Sequence, residues 1–141
     1  MATKISSDIS TNVDITSRKL DSFFLTAQVD NIDGTRFDLT SYSTMELIIT
    51  NSNNTIVKKF QKFGNPVTIT TEVIKPGSIS HSGSLGVITI NVPAITVVSS
   101  GGNAGTYNNM NIQVGSYNYT LKISSSTETH TILHGKYKIV G

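Results

Sequence analysis

From Phe23 onward the chain adopts a two-residue period: Phe23, Leu25, Ala27 and Val29 fall on one side, and Phe24, Thr26, Gln28 and Asp30 on the other. Alternation of this kind predicts a half-buried strand, because successive side chains of extended backbone point to opposite faces. Asp33-Gly34 then supplies residues that tolerate positive φ, so a tight turn is expected before Phe37-Asp38-Leu39 and a Ser41-Tyr42-Ser43 corner. Met45, Leu47 and Ile49 alternate again, the polar run from Asn51 to Asn54 marks a turn, and Ile56 to Phe60 is the returning strand of a hairpin.

The same signals continue towards the C-terminus. Val67, Ile69, Thr71 and Val73 alternate until Lys75-Pro76-Gly77, where proline removes a ladder donor and glycine permits a bend. Val87 to Val92 is a strand stopped by Pro93, followed by Ala94 to Val98 and then by Ser99-Ser100-Gly101-Gly102-Asn103-Ala104-Gly105, an excursion with little apolar surface to bury. Tyr117, Tyr119, Leu121 and Ile123 define a strand that returns through Ile132 to Val140 after the Ser124-Ser125-Ser126 turn. About seven to nine short strands with closely spaced turns predict an all-β fold, an antiparallel immunoglobulin-like β-sandwich, with a closed barrel as the alternative. One of Tyr117 and Tyr119 is a candidate for a tyrosine-corner role, the other reading being an ordinary core aromatic.

Residues 1–20 break the pattern. Ile5, Ile9, Val13 and Ile15 are spaced too widely for a firm strand, among too many Ser, Thr and Asn residues for a helix. The segment therefore reads as an extended N-terminal arm (1–20) preceding a sandwich domain (21–141), with Ile5, Ile9, Val13 and Ile15 as apolar anchors for a partner. An arm that orders on contact spreads that contact over a wide surface, and strand edges offer a neighbour unpaired backbone groups.

Composition sharpens the class. At 141 residues the chain suffices for one cored domain. Only 14% of residues are charged, against roughly 25% in an average soluble protein. Ser, Thr and Asn supply about a third of the chain, so solubility rests on hydroxyls and amides. A net charge of +2 without a basic stripe argues against nucleic-acid and anionic-membrane partners. With no cysteine or tryptophan, a sandwich core must rest on aliphatics, Phe and Tyr, and neither disulfides nor thiolate chemistry arise. No apolar run reaches the length of a signal-peptide core or membrane span.

Candidate chemistry fails on spacing. His130 and His134 would converge on a helix, but on a strand they stand about 13 Å apart, and His81 is isolated, so no metal site is expected. Asp30, Asp33, Gly34 and Asp38 suggest a calcium loop, yet its register puts Val29 where the first carboxylate belongs. Glu46, Glu72 and Glu128 sit singly on separate elements. Ser82-Gly83-Ser84-Leu85-Gly86 is one residue short of a nucleophile turn, and the run from Gly101 to Gly105 lacks a phosphate loop's Lys-Ser/Thr ending. Asn53-Asn54-Thr55 and Asn118-Tyr119-Thr120 match a glycosylation acceptor, which carries little weight without a secretion signal. Lys58, Lys59 and Lys62 beside Phe60 and Phe63 read as a lysine-protected edge strand rather than a nucleic-acid platform. No enzymatic constellation and no cofactor site emerge.

Two stretches carry a family resemblance. Phe24-Leu25-Thr26-Ala27-Gln28-Val29 with Asp33-Gly34-Thr35-Arg36-Phe37-Asp38-Leu39-Thr40-Ser41-Tyr42 resembles the N-terminal immunoglobulin-like modules of tailed-phage upper baseplate proteins and related virion β-sandwiches. Tyr117-Asn118-Tyr119-Thr120-Leu121-Lys122-Ile123, followed by Thr131-Ile132-Leu133-His134-Gly135-Lys136-Tyr137-Lys138-Ile139-Val140, is similar to their closing hairpin, where a glycine before the last strand is usual. The resemblance implies a non-enzymatic structural protein of a tailed bacteriophage virion. Such a protein would dock on tail or baseplate, neck or capsid surface by its arm and strand edges, against other virion proteins in a multi-copy symmetric assembly. Those modules continue into fibre or receptor-binding segments, whereas this sequence stops at Gly141, which keeps head and neck locations and a capsid decoration role open. A carbohydrate-binding or host-adhesion module is the alternative, in which Tyr42, Tyr107 or Tyr117 would stack on a host glycan.

Overall fold

The computed structural model describes residues 2–6, 11–61, 74–75, 79–98 and 104–141. Its strands are β1 (Ala2–Ser6), β2 (Thr11–Asn12), β3 (Ile15–Arg18), β4 (Phe23–Asp30), β5 (Thr44–Thr50), β6 (Ile56–Gln61) and β7 (Ile74–Lys75), followed by β8 (Ile79–His81), β9 (Val87–Val92), β10 (Ile95–Val98), β11 (Gly105–Asn108), β12 (Gly115–Ser124) and β13 (Thr129–Val140). One sheet runs β1-β4-β9-β8. A second runs β2-β13-β12-β5-β6-β7, with β3 also paired to β13, and β10 and β11 form a separate two-stranded sheet. The fold is all-β, and the sandwich expectation holds. The described strands outnumber the expected ones because residues 1–20, the leader, contribute three strands and short strands join the margins.

The alternation seen in the sequence is the burial pattern of the structure. Phe23, Leu25, Ala27 and Val29 of β4, Met45, Leu47 and Ile49 of β5, and Tyr119, Leu121 and Ile123 of β12 face the core, and their neighbours point outwards. Burying an aliphatic or aromatic side chain of this size contributes about 1.5–3 kcal/mol, so a one-residue slip of any of these strands would expose its whole apolar set. On β13 the strict period fails: Ile132 and Leu133 are both buried. The ladder accounts for this, since Leu121 pairs with Leu133 and Lys122 with Thr131, leaving Ile132 as the extra residue of a bulge.

Turns form where the composition places them. Asp33 accepts from the Thr35 amide at 3.0 Å, Asp38 from the Thr40 amide at 2.9 Å, and Asn51 from the Asn53 and Thr55 amides at 2.9 and 3.0 Å. These are side-chain-stabilised turns. Asp33 and Asp38 are thus engaged locally, and their hydroxyl and amide donors hold both carboxyls below the usual range. The expected strand over residues 67–73 lies outside the described residues, as do Ile9, Lys62, Phe63 and Glu72 and the centre of the 99–105 excursion.

The leader pairs with both large sheets. β1 pairs in parallel with β4, Ala2 opposite Thr26 and Ile5 opposite Val29. β2 and β3 pair in parallel with β13 in a single register, Thr11 opposite Leu133 and Ile15 opposite Tyr137. The leader therefore lies along the open side of the sandwich with one leg on each sheet. Residues 11–18 run as strands along β13, which offers them a backbone edge, and Ile15, 6% exposed, enters the core.

Candidate functional site

The seat of the leader on β13 is the most elaborated polar arrangement among the described residues. Between β2 and β3 the backbone of Val13 and Asp14 passes Gly135 and Lys136. The Val13 amide donates to the His134 carbonyl at 2.9 Å, and the Lys136 amide donates to Asp14 Oδ1 at 3.0 Å. The Val13 carbonyl accepts the hydroxyl of Tyr119, which reaches it from β12. Gly135 makes this crossing possible. A Cβ there would lie 2.5 Å from the Val13 carbonyl oxygen and 2.9 Å from Asn12 Oδ1, and its φ of +157° is unfavourable for other residues. The leader is secured further along by Ser17 Oγ donating to the Tyr137 hydroxyl at 3.0 Å, Lys19 N to the Val140 carbonyl at 2.8 Å and Arg18 Nη1 to the Gly141 carbonyl at 3.1 Å.

Burial, followed by the negative charge of Asp14, pushes the Tyr119 hydroxyl up to about 12. It remains a donor across the neutral range. Outside this latch, Asn12, Asp14, Asn118, Thr120, His134 and Lys136 line an open groove of about 420 Å³. Lys136 Nζ donates to Asn118 Oδ1 at 3.0 Å across it. The groove is open to solvent, and Asp14 is the one carboxylate in its lining.

A second cluster joins the Tyr42 corner to the β12–β13 turn. The Tyr42 hydroxyl donates to Glu128 Oε2 at 2.7 Å, and His130 Nε2 lies 3.4 Å from the same oxygen. Phe37 packs on Tyr42 with ring centroids 5.3 Å apart and meets His130 edge-on at 6.2 Å. Burial and then the Glu128 contact push Tyr42 up to about 12, while the donors from Tyr42 and then His130 hold Glu128 below its ordinary value. The cluster fastens two loops and opens no cleft.

The residues singled out from sequence separate accordingly. Ile15 is in the core, Val13 is half-buried against it, and Ile5 sits at a backbone register position on β1. Lys58 is buried, Lys59 is paired to Glu46 at 2.5 Å, and β7 extends the sheet beyond β6, so these lysines do not shield an outer edge. Tyr42 is 4% exposed and does not present a ring to a sugar, and Tyr117 spends its hydroxyl on the Gln113 carbonyl at 2.6 Å. Tyr119 takes a corner-like role, although its acceptor lies in the leader. No group of three metal-ligating side chains, and no helix long and apolar enough to cross a membrane, occurs among the described residues. Sequence reasoning missed the latch partners Asp14 and Ser17 and the crossing at Gly135; an isolated glycine within a strand was the available signal.

No family model matches this sequence, and no curated protein does. Among solved structures, the N-terminal domain of phage TP901-1 ORF48 is similar in fold at 10% sequence identity, with a TM-score of 0.53 over 99% of this chain and 97% of that one. The fold is thus one found in a phage protein, matched along nearly the whole length of both chains.

Proposed function

We propose that this chain is a non-enzymatic structural protein of a tailed-phage virion, docking on its neighbours through the leader and adjoining strand edges. The observation that carries the reading is the end-to-end likeness to the TP901-1 ORF48 domain. It agrees with the resemblance in the sequence to phage upper baseplate modules, and favours tail or baseplate over neck and capsid surface. The polar latch supports a mechanical role: the Tyr119 and Asp14 side chains bind backbone groups of the segment they face and so hold the leader in place.

Docking by Ile5, Ile9, Val13 and Ile15 takes a specific form here, because Ile15 is already inside a sandwich. A leader engaged with a partner would carry Ile15 into that partner's core. The test is localisation: tag the chain at its C-terminus in a phage-producing host, purify virions, and locate the tag by electron microscopy. Symmetric copies on the particle, at the tail end, are expected; purified virions free of the chain would refute the reading.

A further inference from the structure

The contacts that hold residues 11–18 are, with few exceptions, made to β12, β13 and the C-terminal Gly141. They comprise the parallel ladder from Thr11 opposite Leu133 to Arg18 opposite Val140, the Tyr119 bond to Val13, the Asp14 acceptor for Lys136 and Ser17 on Tyr137. A leader arriving from another molecule would satisfy every one of them equally well. Continuity of the chain through Lys19, Leu20, Asp21 and Ser22 is what makes the pairing intramolecular.

That connection is short and strained. Leu20 has a φ of +71°, in the left-handed region that a branched side chain enters at a cost, and its side chain is 49% exposed. The turn is closed by the Asp21 amide on the Arg18 carbonyl at 3.2 Å and by an exposed Arg18–Asp21 ion pair at 3.8 Å, neither of which contributes much. The Leu20 amide on the Met110 carbonyl at 3.0 Å is the stronger opposing contact. In the closed form the connection bridges two packed sheets, about 10 Å apart. Extended, the stretch from Arg18 to Phe23 spans up to about 17 Å, enough to carry the leader off its own body.

We infer that the leader is an exchangeable strand: residues 11–18 of one copy seat on β13 of a second copy, Ile15 entering the second core, while the second copy's leader returns the exchange. This rests on the docking role proposed above and names its partner as another molecule of this chain. The arrangement is isologous, so both seats fill and no β13 edge is left open. The leader moves whole, so the β1–β4 pairing is remade on the second copy's β4; opening then releases the Leu20 strain in both copies and loses two Leu20–Met110 bonds, a near balance. The local concentration of copies then decides the outcome, with dilution favouring the closed monomer and crowding the exchanged pair.

Thr16 and Lys138 are register partners with exposed side chains, and the chain has no cysteine of its own. In T16C/K138C a disulfide therefore forms within one chain when the leader is closed and between chains when it is exchanged. The full-length double variant is concentrated, fractionated by size, oxidised, and run without reductant. A dimer fraction whose disulfides link two chains is expected, together with a dimer association constant about tenfold or more lower in Leu20→Gly, which removes the strain that favours opening. Disulfides confined within single chains, in a protein that stays monomeric or in dimers joined through another surface, would overturn the inference. An unchanged dimer fraction in Leu20→Gly would overturn the role of the strain. If virions carry the chain while no exchange is detected, the exchange alone fails; if exchange occurs and virions lack the chain, the proposed function fails.

Discussion

The hydroxyl of Tyr119 on β12 donates to the backbone carbonyl of Val13, so an inner strand of the six-strand path holds a segment two strands away, across β13. The bond passes over Gly135, the one residue of that stretch without a side chain to obstruct it. Three separate parts of the sequence thus meet at one point, and the stability of the leader depends on all three.

Tyr119→Phe removes the donor while keeping the ring packed against Tyr137, whose centroid is 6.1 Å away. The Val13 carbonyl then lacks its partner in a half-buried setting, at a cost of about 1–2 kcal/mol. Urea denaturation should show that loss, and hydrogen exchange should show faster exchange of the Val13 amide, which bonds the His134 carbonyl. Unchanged exchange across residues 11–18 would mean that the latch does not hold the leader.

Gly135→Ala acts on the other side of the same contact. The added Cβ would stand 2.5 Å from the Val13 oxygen at a backbone angle unfavourable to alanine, and an alanine held there costs about 1–3 kcal/mol. The expected result is selective: amides of 11–18 lose protection, while the β5–β12 ladder, remote from the crossing, retains it.

Acid should loosen the Tyr42 corner. Glu128 titrates below its ordinary value in the folded chain because Tyr42 and His130 donate to it. Its contribution is present above the unfolded value and is lost as pH falls through the folded one. Glu128→Gln should therefore flatten stability against pH over the carboxylate range, measured by thermal unfolding at stepped pH. An identical acid profile in variant and parent would remove Glu128 from that role.

Alkali should act through the tyrosines. Tyr42, Tyr119 and Tyr137 are all pushed up to about 12 in the folded chain, chiefly by burial, against an unfolded value near 10. A raised value means that their stabilisation is intact below about pH 10 and is lost as pH climbs towards 12. Tyrosinate absorbance should lag behind that of free tyrosine and then rise together with loss of the fold. Independent early titration of three of the five tyrosines would contradict the burial described.

Much of the fold was legible because alternation is a local signal. Phe23 to Val29, Met45 to Ile49 and Tyr117 to Ile123 each declare their inward face by their own side chains, and Asn51 to Asn54 and Ser124 to Ser126 declare their turns by hydrogen-bonding capacity. The adjacent burial of Ile132 and Leu133 was not legible, since a bulge is a property of the pair of strands and not of either alone. Tyr42 likewise gave no sign of burial: Glu128, which receives its hydroxyl, comes from the far end of the sequence.

By itself, the sequence determined that this is an all-β chain, where most of its strands lie and which faces they bury. Only the tertiary structure decided the place of residues 11–18, from Ile15 in the core to Val13 beneath Tyr119. The physical reason is that strand pairing joins backbone groups common to nearly every residue. The choice of partner is therefore set by which edge is left open and what can approach it, here β13 with a gap at Gly135, more than a hundred residues away along the chain.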